Sequence, residues 1–152
     1  METKIICNED SDVVFQEIAQ NIGRELMKLS AEQDDVTFAV CGGRSVTAIF
    51  EHLQTENIDW EKVQIFMVDE RMVPLDHEDA NYGLIQEHLI EPLLAEDKIS
   101  KDQVHPFEYK NDKEDSGLAE YIEELQDFRV SLDLVLLSSG EDGHIAALYP
   151  EH

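Results

Sequence analysis

The chain has 152 residues, enough for one domain with a core of its own, and 35 acidic side chains against 11 lysines and arginines give a formal net charge of −24. That field repels phosphate polymers and anionic lipid surfaces, which argues against nucleic acid or a membrane as partner but leaves room for a small anion wherever the few arginines gather. No run approaches the roughly 20 apolar residues of a membrane span, and the start METKIICNEDSD lacks a signal peptide's basic head and apolar middle, so a cytoplasmic location is expected.

Residues 3–7, TKIIC, read as a short first strand. From Ser11 the apolar residues Phe15, Ile18, Ala19, Ile22, Leu26 and Leu29 recur at helical spacing, with Ser11 or Asp12 as the cap. Residues 36–41 form a continuous apolar, β-rich run stopped by Gly42 and Gly43, and a helix opens near Ser45. Residues 63–68 repeat the device and stop at Asp69, Glu70 and Arg71. Asn81 is placed to cap the next helix, which Pro92 should bend or end. Residues 95–113 are polar and poorly periodic apart from VHPFEY, a short extended piece. SGLAEYIEELQDF is helical with Leu118, Ile122 and Leu125 on one face, and residues 132–137 are a further strand, apolar on both faces.

Strands apolar on both faces that alternate with amphipathic helices imply an α/β fold, a Rossmann-like, mostly parallel sheet flanked by helices. In such sheets ligands bind outside the carboxyl ends of the strands, where three clusters should therefore lie side by side: Cys41-Gly42-Gly43-Arg44-Ser45, Asp69-Glu70-Arg71, and Gly140-Glu141-Asp142-Gly143-His144. The glycine pair before a helix is either a tight turn or a seat for an anion, with Ser45 adding a hydroxyl. Arg71 either grips phosphate or carboxylate through paired hydrogen bonds or pairs with Asp69 or another carboxylate to hold its loop, and the same choice applies to Arg44. His144, on a glycine-flanked turn, suits a general base, with Asp142 orienting its ring. His52, His77, His88, His105 and His152 read as solvated polar residues, and Cys7 and Cys41 as small buried hydrophobes. PLDHEDAN lacks the paired spacing of a metal site, so neither a metal nor another cofactor is expected.

Taken in order, "FAVCGGRSVTAIFEHL", "IDWEKVQIFMVDERMVPLDHEDANYG" and "LDLVLLSSGEDGHIAALYP" resemble the 6-phosphogluconolactonase family. The resemblance implies the fold of the ribose-phosphate and glucosamine-phosphate isomerases and metal-free hydrolysis of 6-phosphoglucono-δ-lactone in the oxidative pentose phosphate pathway. It implies His144 as the base that activates water, Asp142 as its partner, and Arg71 with the Gly42, Gly43 and Ser45 turn as contacts to the phosphorylated sugar lactone. Departures from the family pattern are Arg44-Ser45-Val46 after the glycines, Ala80 before Asn81-Tyr82, and Ala147. Family members continue well past the position of Pro150, so residues 1–152 are expected to form a single domain incomplete at its C-terminus, which favours self-association through uncovered surface. The alternatives are an amino-sugar phosphate deaminase or isomerase, suggested by "DGHIA", and a non-catalytic sugar-phosphate-binding module.

Overall fold

The computed structural model describes residues 3–128 and 131–150. Four parallel strands, β1 (Val36–Val40), β2 (Val63–Met67), β3 (Val104–His105) and β4 (Leu134–Leu136), lie in the order β3-β2-β1-β4. All five residues of β1 and all five of β2 are buried, as expected of central strands covered on both faces. Their register pairs Val36 with Val63 and Val40 with Met67, while β4 pairs with β1 from Phe38–Leu134 to Val40–Leu136. Asp133 sets that second register: its carboxylate accepts from both the N–H and the hydroxyl of Thr37, at 2.9 and 3.0 Å.

One face of the sheet carries Val36, Phe38, Val40, Val63, Ile65 and Met67 into the main core. Helix α1 (Ser11–Glu32) supplies Ala19, Ile22 and Leu26 to it, and α2 (Arg44–Leu53) supplies Val46, Ile49, Phe50 and Leu53. The cap of α1 is Asp10, whose side chain accepts from the Asp12 N–H at 3.0 Å, so neither Ser11 nor Asp12 has that role. Helix α3 (Asn81–Ile85), a π-helical turn (Gln86–Ile90) and α4 (Glu91–Ala95) follow one another without a break. Pro92 neither ends this helix nor leaves a hydrogen bond unmet. It lacks an N–H for the His88 carbonyl four residues earlier, and that carbonyl accepts instead from Gln54 Nε2 of the neighbouring segment at 2.6 Å.

Helix α5 (Leu118–Phe128) serves the opposite face, where Phe66 stacks on the His105 ring at 4.3 Å and meets Tyr121 and Phe128 edge-on. Because β3 ends at His105, Met67 has no strand neighbour on that side. The Tyr121 hydroxyl stands in for one, accepting from the Met67 N–H at 2.6 Å and donating to the Met67 carbonyl at 3.0 Å. Burial accordingly pushes the Tyr121 hydroxyl well above the usual range for a phenol.

Several expectations need correction. Residues 3–7 form no strand: Ile5 is exposed, and Lys4 is drawn onto the surface of α1 by Glu17 at 2.8 Å. Cys7 is exposed, whereas Cys41 is buried. Asn81 is the first helical residue and the capping position is Ala80. The last strand is apolar in composition but is not buried on both faces: Val135 is exposed in the edge strand β4, and so is Leu137 just after it. His105 is no solvated residue: it is 4% exposed, with Glu124 on Nδ1 at 2.7 Å and Gln64 on Nε2 at 3.0 Å. His152 lies outside the described residues.

Candidate functional site

The carboxyl ends of β1, β2 and β4 open into one cavity of about 550 Å³. Gly42, Gly43, Arg44 and Ser45 line it from the first strand end, Asp69, Glu70 and Arg71 from the second, and Gly140, Glu141 and His144 from the third. Asp142 does not line the cavity, but it reaches His144 from behind.

At the first strand end Gly43 adopts φ +118°, which side chains other than glycine rarely reach, and it caps α2 without any side-chain hydrogen bond. No side-chain cap therefore occupies the first amides of α2, although Val46 N–H donates to the Gly43 carbonyl at 3.2 Å, and the positive end of that helix faces the cavity. Gly42 is needed for a different reason: a Cβ there would overlap the side chain of Asn81. Cys41, just before it, has its thiol pushed up by burial, with a hydrogen bond from Ser138 working against the shift.

At the second strand end Asp69 is half-buried, and burial raises its carboxyl above the usual carboxylate range. The Gly42 backbone and the charges of Arg71 and His144 pull it the other way, and Asp69 Oδ1 has no hydrogen-bond partner among the described residues. No carboxylate lies within ion-pairing distance of Arg71 or Arg44 among those residues, although the charge of Arg71 acts on Asp69, and both arginines line the cavity. Glu70, which composition marked only as part of a charged triplet, is the unforeseen residue here. Its Oε1 accepts from the N–H groups of Arg71 at 2.6 Å and Asn81 at 2.7 Å, and its Oε2 from Tyr82 at 2.8 Å. A carboxylate at the start of α3 is favourable to the helix dipole, but a cap eleven residues upstream of the helix leaves no local sequence signature.

At the third strand end a tight turn presents the imidazole. The Gly140 N–H donates to the His144 carbonyl at 2.9 Å, and Gly143 adopts φ +86°. Asp142 Oδ1 lies 2.5 Å from His144 Nδ1 and also accepts from the His144 N–H at 3.3 Å. These two contacts, the ring's first, hold the Asp142 carboxyl below its ordinary range. Gly140 makes the pairing possible, because a Cβ at that position would overlap the His144 ring and stand 2.7 Å from Asp142 Oδ1. With Nδ1 taken by Asp142, Nε2 is the nitrogen left for chemistry, and the Tyr149 ring packs 5.2 Å from the imidazole. No group of three or more His, Cys, Asp or Glu side chains suited to a metal occurs among the described residues.

An open parallel sheet that gathers a glycine turn, two guanidinium groups and a carboxylate-backed imidazole around one cavity defines an α/β protein suited to a small anionic ligand. Residues 9–152 match the family model described as glucosamine-6-phosphate isomerases/6-phosphogluconolactonase, and the chain belongs to that family. The 6-phosphogluconolactonase of Borreliella burgdorferi is 31% identical to it over 127 residues, covering 83% of this chain and 54% of that one. That of Thermotoga maritima is 30% identical over 148 residues, covering 97% and 64%, and its crystal structure superposes with a TM-score of 0.80 over 93% of this chain. A monomeric glucosamine-6-phosphate deaminase, 18% identical, shares the fold with a TM-score of 0.75. The chain thus spans from about half to just under two thirds of the length of these lactonases.

Proposed function

We propose that the chain carries out hydrolysis of 6-phosphoglucono-δ-lactone to 6-phosphogluconate. The observation that carries this reading is the carboxylate-backed imidazole of His144 opening into the same cavity as Arg71, Arg44 and the uncapped start of α2. The names of its relatives support the same reaction.

The phosphate dianion is held by Arg71 and Arg44, the leading amides of α2 and the Ser45 hydroxyl, and this places the lactone carbonyl toward His144. His144 Nε2 takes a proton from a water molecule as its oxygen bonds to the carbonyl carbon, forming a tetrahedral oxyanion. Asp142 stabilises the imidazolium that results and keeps the ring oriented. Collapse of the intermediate restores the C=O and breaks the bond to the ring oxygen, which leaves as a hydroxyl after taking the proton back from Nε2. The new carboxylic acid then ionises in water. A sugar phosphate dianion does not cross a bilayer unaided, so its source must share a compartment with the chain, which this reading takes to be the cytoplasm.

The test is lactone opening measured above its spontaneous rate, for the parent chain and for His144→Ala. The substitution is expected to lower kcat by roughly 10²- to 10⁴-fold, the usual contribution of a positioned base. Equal rates remove His144 from the mechanism. One observation favours a second reading: Asp69, a carboxyl raised by burial beside His144, is suited to the proton shuttling of an amino-sugar phosphate isomerase. Release of ammonia from glucosamine 6-phosphate without lactone opening selects that reading, and ligand binding without turnover of either compound selects a non-catalytic sugar-phosphate module.

A further inference from the structure

Glu70 lines the cavity, yet its carboxylate faces the protein's own backbone. Its acceptors are committed to Arg71 N–H, Asn81 N–H and Tyr82 N–H, which joins the residue after the second strand end to the first turn of a helix across a loop of about ten residues. Asn81 extends the connection. It is 8% exposed, its Nδ2 donates to the Asp69 carbonyl at 3.3 Å, and its side chain lies so close over Gly42 that a Cβ there would overlap it. One carboxylate therefore ties the peptide of Arg71, the start of α3 and, through Asn81, the glycine turn into a single frame.

We infer that Glu70 is a positioning residue that sets the distance between Arg71 and the Gly42-Gly43 turn, and thereby the preference for a phosphorylated over an unphosphorylated lactone. The inference rests on the lactonase reading for its substrate and on the hydrogen bonds alone for its geometry. Glu70→Gln is nearly isosteric but replaces one acceptor oxygen with an NH₂ donor. If Oε1 remains an oxygen, Tyr82 N–H loses its acceptor; if Oε2 does, Arg71 and Asn81 lose theirs. In either orientation the frame is broken on one side while His144 and Asp142, on the third strand end, keep all their contacts.

The experiment compares kcat/KM for 6-phosphoglucono-δ-lactone with that for glucono-δ-lactone, in the parent and in Glu70→Gln. The ratio of the two is expected to fall about tenfold, carried by KM for the phosphorylated substrate and not by kcat, as misplacement of a binding group predicts. A purely structural role lowers both substrates by the same factor and leaves the ratio alone, and that result overturns the inference. If Glu70→Gln does not fold by circular dichroism, Glu70→Asp, which keeps the charge but is one methylene short of its three donors, carries the same comparison. If the parent opens no phosphorylated lactone, the lactonase reading fails, and the affinity for inorganic phosphate measured by calorimetry decides the inference separately: about tenfold weaker binding to the variant supports it, and equal binding refutes it.

Discussion

Among the described residues two histidines make a close hydrogen bond to a carboxylate through Nδ1, His144 with Asp142 at 2.5 Å and His105 with Glu124 at 2.7 Å, and their surroundings turn the same pairing to different ends. The His105 side chain is 5% exposed, stacked on Phe66, and its Nε2 faces Gln64 Oε1, whose amide is itself oriented by a hydrogen bond to Asp35 at 3.0 Å. Both nitrogens are used up, so the ring joins β3, β2 and α5 and nothing else. The His144 side chain is 34% exposed, rests on a glycine, and keeps Nε2 for the cavity. A histidine and a neighbouring acid are not enough for the proposed base; that role for His144 also needs a second nitrogen left without a protein partner beside a cavity.

Substitutions that fill or empty these two settings break the comparison most sharply. Gly140→Ala should displace the His144 ring, since the added methyl occupies its place, and a shift of about 1 Å predicts a loss near 10²-fold in kcat with little change in thermal unfolding. Wild-type turnover in Gly140→Ala would mean that the ring adapts and the glycine is not required. His105→Ala should do the reverse: removing a buried, stacked ring and leaving Gln64 and Glu124 without their partner costs about 2–4 kcal/mol in urea unfolding, while kcat per folded molecule stays near the parent value. A drop in kcat without loss of stability would assign His105 to the chemistry.

The remaining predictions concern the ground around His144. The strand leading to its turn lies at the sheet edge with Val135 and Leu137 exposed, so the chain should self-associate through β4, and Val135→Lys should shift sedimentation toward the monomer. An unchanged sedimentation profile would place any association elsewhere. The smallest effect is expected at Asp69. Its folded-state carboxyl is raised by burial, so between its ordinary value near 3.8 and the raised value the native state binds more protons than the unfolded one, and stability falls as pH rises through that window. Asp69→Asn should therefore stabilise the chain at neutral pH by no more than about 1 kcal/mol, allowing for solvent screening of a half-exposed group, with the gain vanishing below that window. A gain that persists at pH 3 would point to some cause other than ionisation.

Period and punctuation alone made much of this molecule legible. The runs at 36–41 and 63–68 have no polar face to offer water, the residues from Phe15 to Leu29 repeat at helical spacing, and glycines or charges stop each strand; these patterns imply a parallel sheet and bring the glycine turn, Arg71 and His144 to one end of it. What they could not reveal depends on partners distant in the chain. TKIIC has strand-like composition but pairs with no strand and lies against α1 through Lys4 and Glu17, Pro92 is accommodated because Gln54 satisfies His88, and His105 looks solvated until Gln64 and Glu124 close on it. Glu70 is the clearest case at the site, since its three donors lie on both sides of a loop. Backbone preference and burial are properties of neighbouring residues and can be read along the chain, whereas which carboxylate meets which N–H, and which imidazole nitrogen stays open, is decided only when segments far apart in sequence pack against one another.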